Sequence, residues 1–336
     1  RCYDLFRYLV VYFMMIKVVK TENDFIKIIF LLVACGTLLG YFAYTAPRSG
    51  VRLEGIGPPD ATDANLLAVL FAGLLPFILP VFFYANHIFK FFSVIATAFM
   101  VNGIVLCNSR GGMVAVASSV AFGVMLIRDR RLKLVAIGMA MLLVFSFMYL
   151  ADEHFWNRSQ TITTSIEEDG ASGRVEIWTN GLRMASDHPL GVGGFGFQAL
   201  SPYYLPAERL TGGVRSSHNT YLLILVEQGF FGLILYALIL FKLYLHLWKS
   251  FKYLNRKIIS QTKKIDINKN TSRQFILLAL IVSLVSQNVG ALVLDRLYYE
   301  YFFILLALIS VYNPQFLLKK EPDKKTNNLN RSSIDE

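Results

Sequence analysis

The chain has 336 residues, 55% of them hydrophobic, with a formal net charge of +10 and a mean hydropathy of +0.49. A soluble domain of this length rarely carries so much apolar sequence, and the apolar residues come in blocks near the ~20 residues that a bilayer-crossing helix needs. The positive charge does not point to nucleic acid, because Lys and Arg collect in short runs between the apolar blocks, the arrangement that orients a membrane protein. Cys2, Cys35 and Cys107 lack CxxC spacing, so neither a disulfide framework nor a zinc site is expected, and no cofactor is implied.

In chain order the apolar blocks run Leu5–Val19, Phe25–Tyr44, Ala64–Tyr84, Ile88–Cys107, Met113–Ile127, Leu132–Leu150, Tyr221–Trp248, Phe275–Leu294 and Tyr298–Tyr312. In lipid each must be helical, because every backbone N–H and C=O needs an internal partner. They are not barrel strands, which run about ten residues and alternate in polarity. The fold class expected is therefore an all-α integral membrane protein, a multi-spanning bundle of about nine visible helices. The chain opens on Arg1 rather than Met and its first block is short, from which further helices upstream are expected.

Arg128, Arg130, Arg131 and Lys133 punctuate one junction between blocks, and Lys249 to Arg273 fill another. Lys319, Lys320, Lys324 and Lys325 stand in the tail. All three are expected to be cytoplasmic, and the helices counted between them alternate consistently. That leaves Ala46–Asp63, Asn108–Gly112, Ala151–Ser217 and the Asp295–Arg296 turn on the outer side. Four parts follow: N-terminal transmembrane helices over 1–150, an extracytoplasmic loop over 151–217, C-terminal transmembrane helices over 218–312, and a disordered tail over 313–336. The loop is too long for a structureless connection; Arg174–Ser186 is predicted as a short helix, with Pro189 after it. Glu167, Glu168 and Asp169 are consecutive and suit a solvated turn better than a metal site.

Several outer-side residues could carry chemistry. His218, in Arg215-Ser-Ser-His-Asn-Thr-Tyr, stands where the long loop re-enters the membrane, and a neutral imidazole can serve there as a general base. Its neighbours Ser216, Ser217 and Asn219 are equally good N-cap candidates for the next helix. Arg110, Arg174 and Arg215, with Arg48, Arg52, Arg183 and Arg296 also outside, are side chains that can hold a diphosphate bidentately, though single interfacial arginines also snorkel to headgroups. Gly191, Gly193 and Gly196 spell GxGxxG, but in an outer loop after a proline, without a βαβ unit, this is no dinucleotide site. It suits a tight turn whose bare N–H groups could approach an anion. Glu227 lies two turns into the helix after His218, where a charge needs a partner or a cavity; Gly229 and Gly232 there suit close packing.

Ser172-Gly-Arg with Trp178, Asp187-His-Pro-Leu-Gly-Val-Gly-Gly-Phe-Gly, His218-Asn-Thr-Tyr-Leu and Glu227-Gln-Gly-Phe-Phe-Gly occur in one order. Together the stretch from Ser172 to Tyr236 resembles the signature region of the O-antigen ligase and O-antigen polymerase superfamily, bacterial inner-membrane enzymes that move glycans from polyprenyl diphosphate carriers. Ser109-Arg-Gly-Gly and Asp63-Ala-Asn-Leu-Leu-Ala look like further landmarks of it. The resemblance implies a GT-C-like helical fold, a large periplasmic loop over the site, and metal-independent transfer. It implies His218 as the base, and Arg110, Arg174 and Arg215 as holders of the donor diphosphate. Asn219 and Glu227 complete the expected substrate-contacting set. The implied partners are an undecaprenyl-diphosphate-linked glycan as donor and lipid A core or a growing glycan as acceptor, among membrane lipids. Polymerisation and O-linked transfer to protein share this region, and a lipid-linked glycan transporter is the reading from another class. This chain has fewer helices than members usually have.

Overall fold

The computed structural model describes residues 2–47, 53, 55–58, 61–84, 86–127, 130–150, 171–260 and 264–313. Arg48, Arg52, Arg128, Glu167–Asp169 and the tail 314–336, on which expectations were placed, lie outside those residues. The expected all-helical architecture is what the structure has. The helices are α1 (Cys2–Val18), α2 (Glu22–Thr45), α3 (Ala64–Leu74), α4 (Ile78–Tyr84), α5 (His87–Leu106), α6 (Arg110–Leu126), α7 (Arg130–Leu150), α8 (Ala171–Asp187), α9 (Gly196–Tyr204), α10 (Thr220–Ser260), α11 (Lys264–Ala291) and α12 (Glu300–Val311). Each apolar block of the sequence is helical. Those at Glu22–Thr45, Ala64–Phe83, His87–Leu106, Thr220–Arg256 and Arg273–Ala291 are long and apolar enough to cross a membrane.

Local chemistry explains where these helices start and bend. Thr21 and Asp24 form a reciprocal capping box at the start of α2. Asp63 accepts from the N–H groups of Asn65 at 2.8 Å and Leu66 at 3.3 Å and caps α3. Pro76 gives the α3–α4 crossing a 3-10 turn at Leu75–Phe77.

Contacts sort the helix ends into two sets. At one end Glu22 pairs with Arg273 at 3.1 Å, Phe25 meets Tyr312, and His246 Nε2 bonds the Tyr312 carbonyl at 2.8 Å. At the other end the Leu53 N–H reaches the Leu106 carbonyl, Ser109 Oγ donates to Asn65 Oδ1 at 2.9 Å, and Trp178 Nε1 donates to the Ser217 carbonyl at 3.1 Å. This is the sorting that an alternating multi-pass chain requires. Between the ends, Gln287 Nε2 donates to the Val69 carbonyl, and Asn288 bonds both Tyr221 and Tyr244. Such bonds between membrane helices contribute only about 0.6 kcal/mol each, so they set helix register more than stability.

The block at Tyr221–Trp248, read from sequence as one crossing, is interrupted. Gly229 has φ 69° and ψ −171°, and α10 is two helices meeting at a sharp bend. In a straight helix Tyr221 and Tyr236 would be roughly 22 Å apart along the axis; their ring centroids are 6.0 Å apart. The bend admits the chain after α8: Val192 and Gly193 donate their N–H groups to the carbonyls of Val226 and Glu227 at 3.0 and 2.8 Å, and Phe230 donates to the Pro189 carbonyl at 3.1 Å. Of the turn expected to approach an anion, the N–H groups of Val192 and Gly193 are thus turned onto α10, closing its broken hydrogen-bond ladder, while those of Gly191 and Gly196 bond within the turn to the carbonyls of His188 and Gly193. A second, smaller core of Ile177, Met184, Phe197, Leu222, Leu223 and Val226 then seats α8 and α9 on the first half of α10.

A Cβ at Gly229 would lie 2.4 Å from the Leu190 carbonyl carbon, in a backbone conformation that L side chains avoid. Gly229→Ala should therefore destabilise the protein by about 1–3 kcal/mol. A thermal melt of the purified protein in detergent should show a lower midpoint; an unchanged one would mean that the bend does not depend on glycine.

Candidate active site at the loop–helix junction

The start of α10 is stitched to the turn between α11 and α12. Asp295 Oδ1 accepts from Ser217 Oγ and from the Asn219 N–H at 3.0 Å. Thr220 Oγ1 donates to the Leu294 carbonyl at 2.6 Å and accepts from the Arg296 N–H at 2.8 Å. His218 lies between two residues held by one carboxylate. It is half-buried, and its φ is 50°. A non-glycine residue there costs about 1–3 kcal/mol and persists only where its surroundings hold it. Asp295 supplies that hold. Among the described residues the other non-glycine positive-φ positions are Asn108 and Phe195; the first precedes Arg110 by two residues.

Asn219 Oδ1 accepts from the N–H groups of Tyr221 and Leu222 at 3.0 and 3.1 Å. It is the N-cap of α10, and the substrate contact expected of Asn219 could come only from its amide nitrogen.

The structure also shows how each candidate arginine is carried. Gly212 and Gly213 both take positive φ in a two-residue turn bridging Thr211 and Val214. The turn delivers Arg215 at 8% exposure, its N–H on Ser201 Oγ at 2.8 Å and Nη1 on Thr211 Oγ1 at 2.9 Å. Arg174 is half-buried in the first turn of α8, four residues before Trp178, whose indole holds the Ser217 carbonyl. Arg110 opens α6, capped by Ser109, whose Oγ accepts from the Gly112 N–H at 3.1 Å. A Cβ at Gly111 would touch Val293 at 3.0 Å, so the first turn of α6 packs directly against the residues leading to Asp295. The segments bearing Arg110, Arg174 and Arg215 thus meet around Ser217–Thr220. Arg183 does not join them; it is exposed on α8.

Glu227 is 2% exposed, and Tyr298 Oη donates to its Oε2 at 3.2 Å. It ends the first half of α10, next to the bend at Gly229. Tyr298 and Gln228, at 3.3 Å from each other, tie this bend to the α11–α12 turn. The Asp187 of the glycine-rich motif is structural as well. It accepts from Tyr204 Oη at 2.6 Å, and that bond raises the phenol above its usual range.

Asp295 was not singled out in the sequence. Its signal was a lone acid in a short turn between two apolar helices, but its partners are 76 and 78 residues away.

The profile of the O-antigen ligase family matches residues 95–237. This stretch is similar to the O-antigen ligase family. No curated protein matches the chain. The matched stretch takes in Arg110, Arg174, Arg215, His218 and Glu227, and it stops short of Asp295. The carboxylate that holds the bend of the matched region therefore comes from outside that region.

Asp295→Ala should leave the protein inserted and folded, since the second core under α8 and α9 does not involve it, but should free His218 from its bend. Misplacing a reacting group by about 1 Å can cost on the order of 10²-fold in rate. Glycan transfer measured at saturating donor should fall by that order. Unchanged turnover would mean that Asp295 does not position the bend.

Proposed function

We propose that this protein transfers a glycan from an undecaprenyl diphosphate carrier to an acceptor hydroxyl at the outer face of the bacterial inner membrane, without a metal ion. The observation that supports the reading most is the meeting of three arginine-bearing segments around the His218 bend, within the region that matches the O-antigen ligase family. The acceptor oxygen attacks the anomeric carbon of the carrier-linked sugar from the face opposite the diphosphate. His218 takes the hydroxyl proton as the new C–O bond forms. The old C–O bond breaks, and its electron pair leaves on the diphosphate, so the anomeric centre inverts. Positioned general-base catalysis contributes ~10²–10⁴-fold. A preorganised donor facing developing charge contributes about 10²–10³-fold, and Arg215, Arg110 and Arg174 are the groups for that task. Guanidinium stays protonated throughout and meets phosphate oxygens in pairs.

The basic runs near Arg130 and Lys249–Lys252 favour a cytoplasmic location for the opposite end, which supports a periplasmic site. The mid-membrane polar residues that a transporter would use, Gln287 and Asn288, bond neighbouring helices, which favours the enzyme over the transporter.

Purified protein given undecaprenyl-diphosphate-linked glycan and lipid A core, with EDTA present, should move glycan onto the core. His218→Ala and Arg215→Ala should each lower the rate by at least ~10²-fold. Longer carrier-linked chains with the core untouched would make the protein a polymerase, and glycan on a protein acceptor an oligosaccharyltransferase. Loss of transfer on chelation would contradict the metal-free reading.

A further inference from the structure

Arg296 follows Asp295 in the turn between α11 and α12, and only 6% of it is exposed. Its backbone is fixed, since its N–H donates to Thr220 Oγ1 at 2.8 Å. Its guanidinium lies over the Tyr299 ring, 5.5 Å from the centroid. Nη1 is buried and has no hydrogen-bond partner, and among the described residues no carboxylate pairs with this side chain. Burial pulls the group down to about 10, so it remains a cation at neutral pH.

Buried charges are normally paired. Arg273, at 5% exposure near the opposite end, follows that rule: it pairs with Glu22. Arg296 is surrounded instead by the phenols of Tyr236, Tyr299 and Tyr301, which carry no counter-charge. The face of one phenol offsets less than the burial of a full charge. A buried guanidinium without a carboxylate calls for an anionic ligand, and the turn that carries it is bonded to Thr220, beside the His218 bend. The fork of guanidinium N–H groups matches phosphate oxygens bidentately.

We propose that Arg296 is a phosphate-binding residue of this site, and that its anion is the diphosphate of an isoprenoid carrier lipid. This rests on the donor chemistry proposed above. The bound carrier completes the charge of a guanidinium whose backbone Thr220 holds in register with the bend. One turn thus serves both reactants, its aspartate holding the base and its arginine the leaving group.

Ligand-dependent thermal unfolding tests the proposal on the full chain in maltoside micelles, which carry no phosphate. Farnesyl diphosphate should raise the wild-type midpoint in a concentration-dependent way. Arg296→Met, which removes a buried unpaired charge, should melt at or above the wild-type midpoint without ligand and should lose the farnesyl diphosphate shift. Its apparent affinity should fall roughly ten-fold or more, the loss of a charge-assisted hydrogen bond. Arg296→Lys, which keeps the charge and loses the fork, should bind with intermediate affinity. An undiminished shift in Arg296→Met, or no shift in the wild type, would overturn the proposal. So would a ligand-free Arg296→Met that melts well below wild type, because the arginine would then be structural. An equal, Arg296-dependent shift with phosphatidylglycerol would assign the phosphate to a bulk lipid headgroup and overturn the carrier assignment. Glycan transfer is not read in this experiment, so failure of the transferase reading and failure of this proposal remain separate outcomes.

Discussion

The carboxylate of Asp295 holds together two stretches of chain that the membrane helices would otherwise leave independent. One oxygen accepts from Ser217 and from Asn219, and the residue between them is the histidine with a left-handed backbone. A backbone of that kind is unfavourable alone and stable only when its neighbours are fixed on both sides. Thr220 then adds its own two bonds to Leu294 and Arg296. The first turn of α6, the indole of α8 and the glycine turn before Arg215 all close on this junction. Removing the carboxylate would leave each helix in place and let the junction drift.

The remainder of the fold serves to bring that junction to one end of the bundle. The break at Gly229 turns the first half of α10 back toward the second, so that Tyr221 meets Tyr236. The chain after α8 enters the break and satisfies its backbone groups. The second core then places α8 and α9 over the site. Glu227, buried at the end of this half-helix, is tied through Tyr298 to the same turn that carries Asp295. A single short turn between two apolar helices is thus connected to both ends of the half-helix that follows the candidate base.

Much of this was legible in the sequence. Apolar blocks near the thickness of a bilayer leave no alternative to helices, so the transmembrane elements and the short helix at Arg174–Ser186 could be read directly. His218 and Arg215 lie three residues apart, and their shared setting could also be read locally. The break in α10 could not be read this way, because the apolar run continues through Gly229 and only the close approach of Pro189 and Leu190 requires a glycine there. The N–H groups of the glycine-rich turn were read as open to an anion, whereas those of Val192 and Gly193 find acceptors thirty-four residues further on in α10, and those of Gly191 and Gly196 bond within the turn. Asp295 and the burial of Arg296 depend on contacts across the fold. In the sequence Asp295-Arg296 looks like an ordinary charged turn between two spans.

The central claim is that Asp295 acts on the site through the Ser217–Asn219 bend. A double-mutant cycle on glycan transfer tests it most directly, comparing Asp295→Ala, Ser217→Ala and the pair in the same membrane preparation. If the carboxylate works by holding the bend, the two substitutions remove the same constraint. The double variant should then be little slower than the slower single one, with a coupling energy well above the ~0.3–0.5 kcal/mol within which independent sites add. Simple additivity would contradict the account and separate Asp295 from the His218 bend.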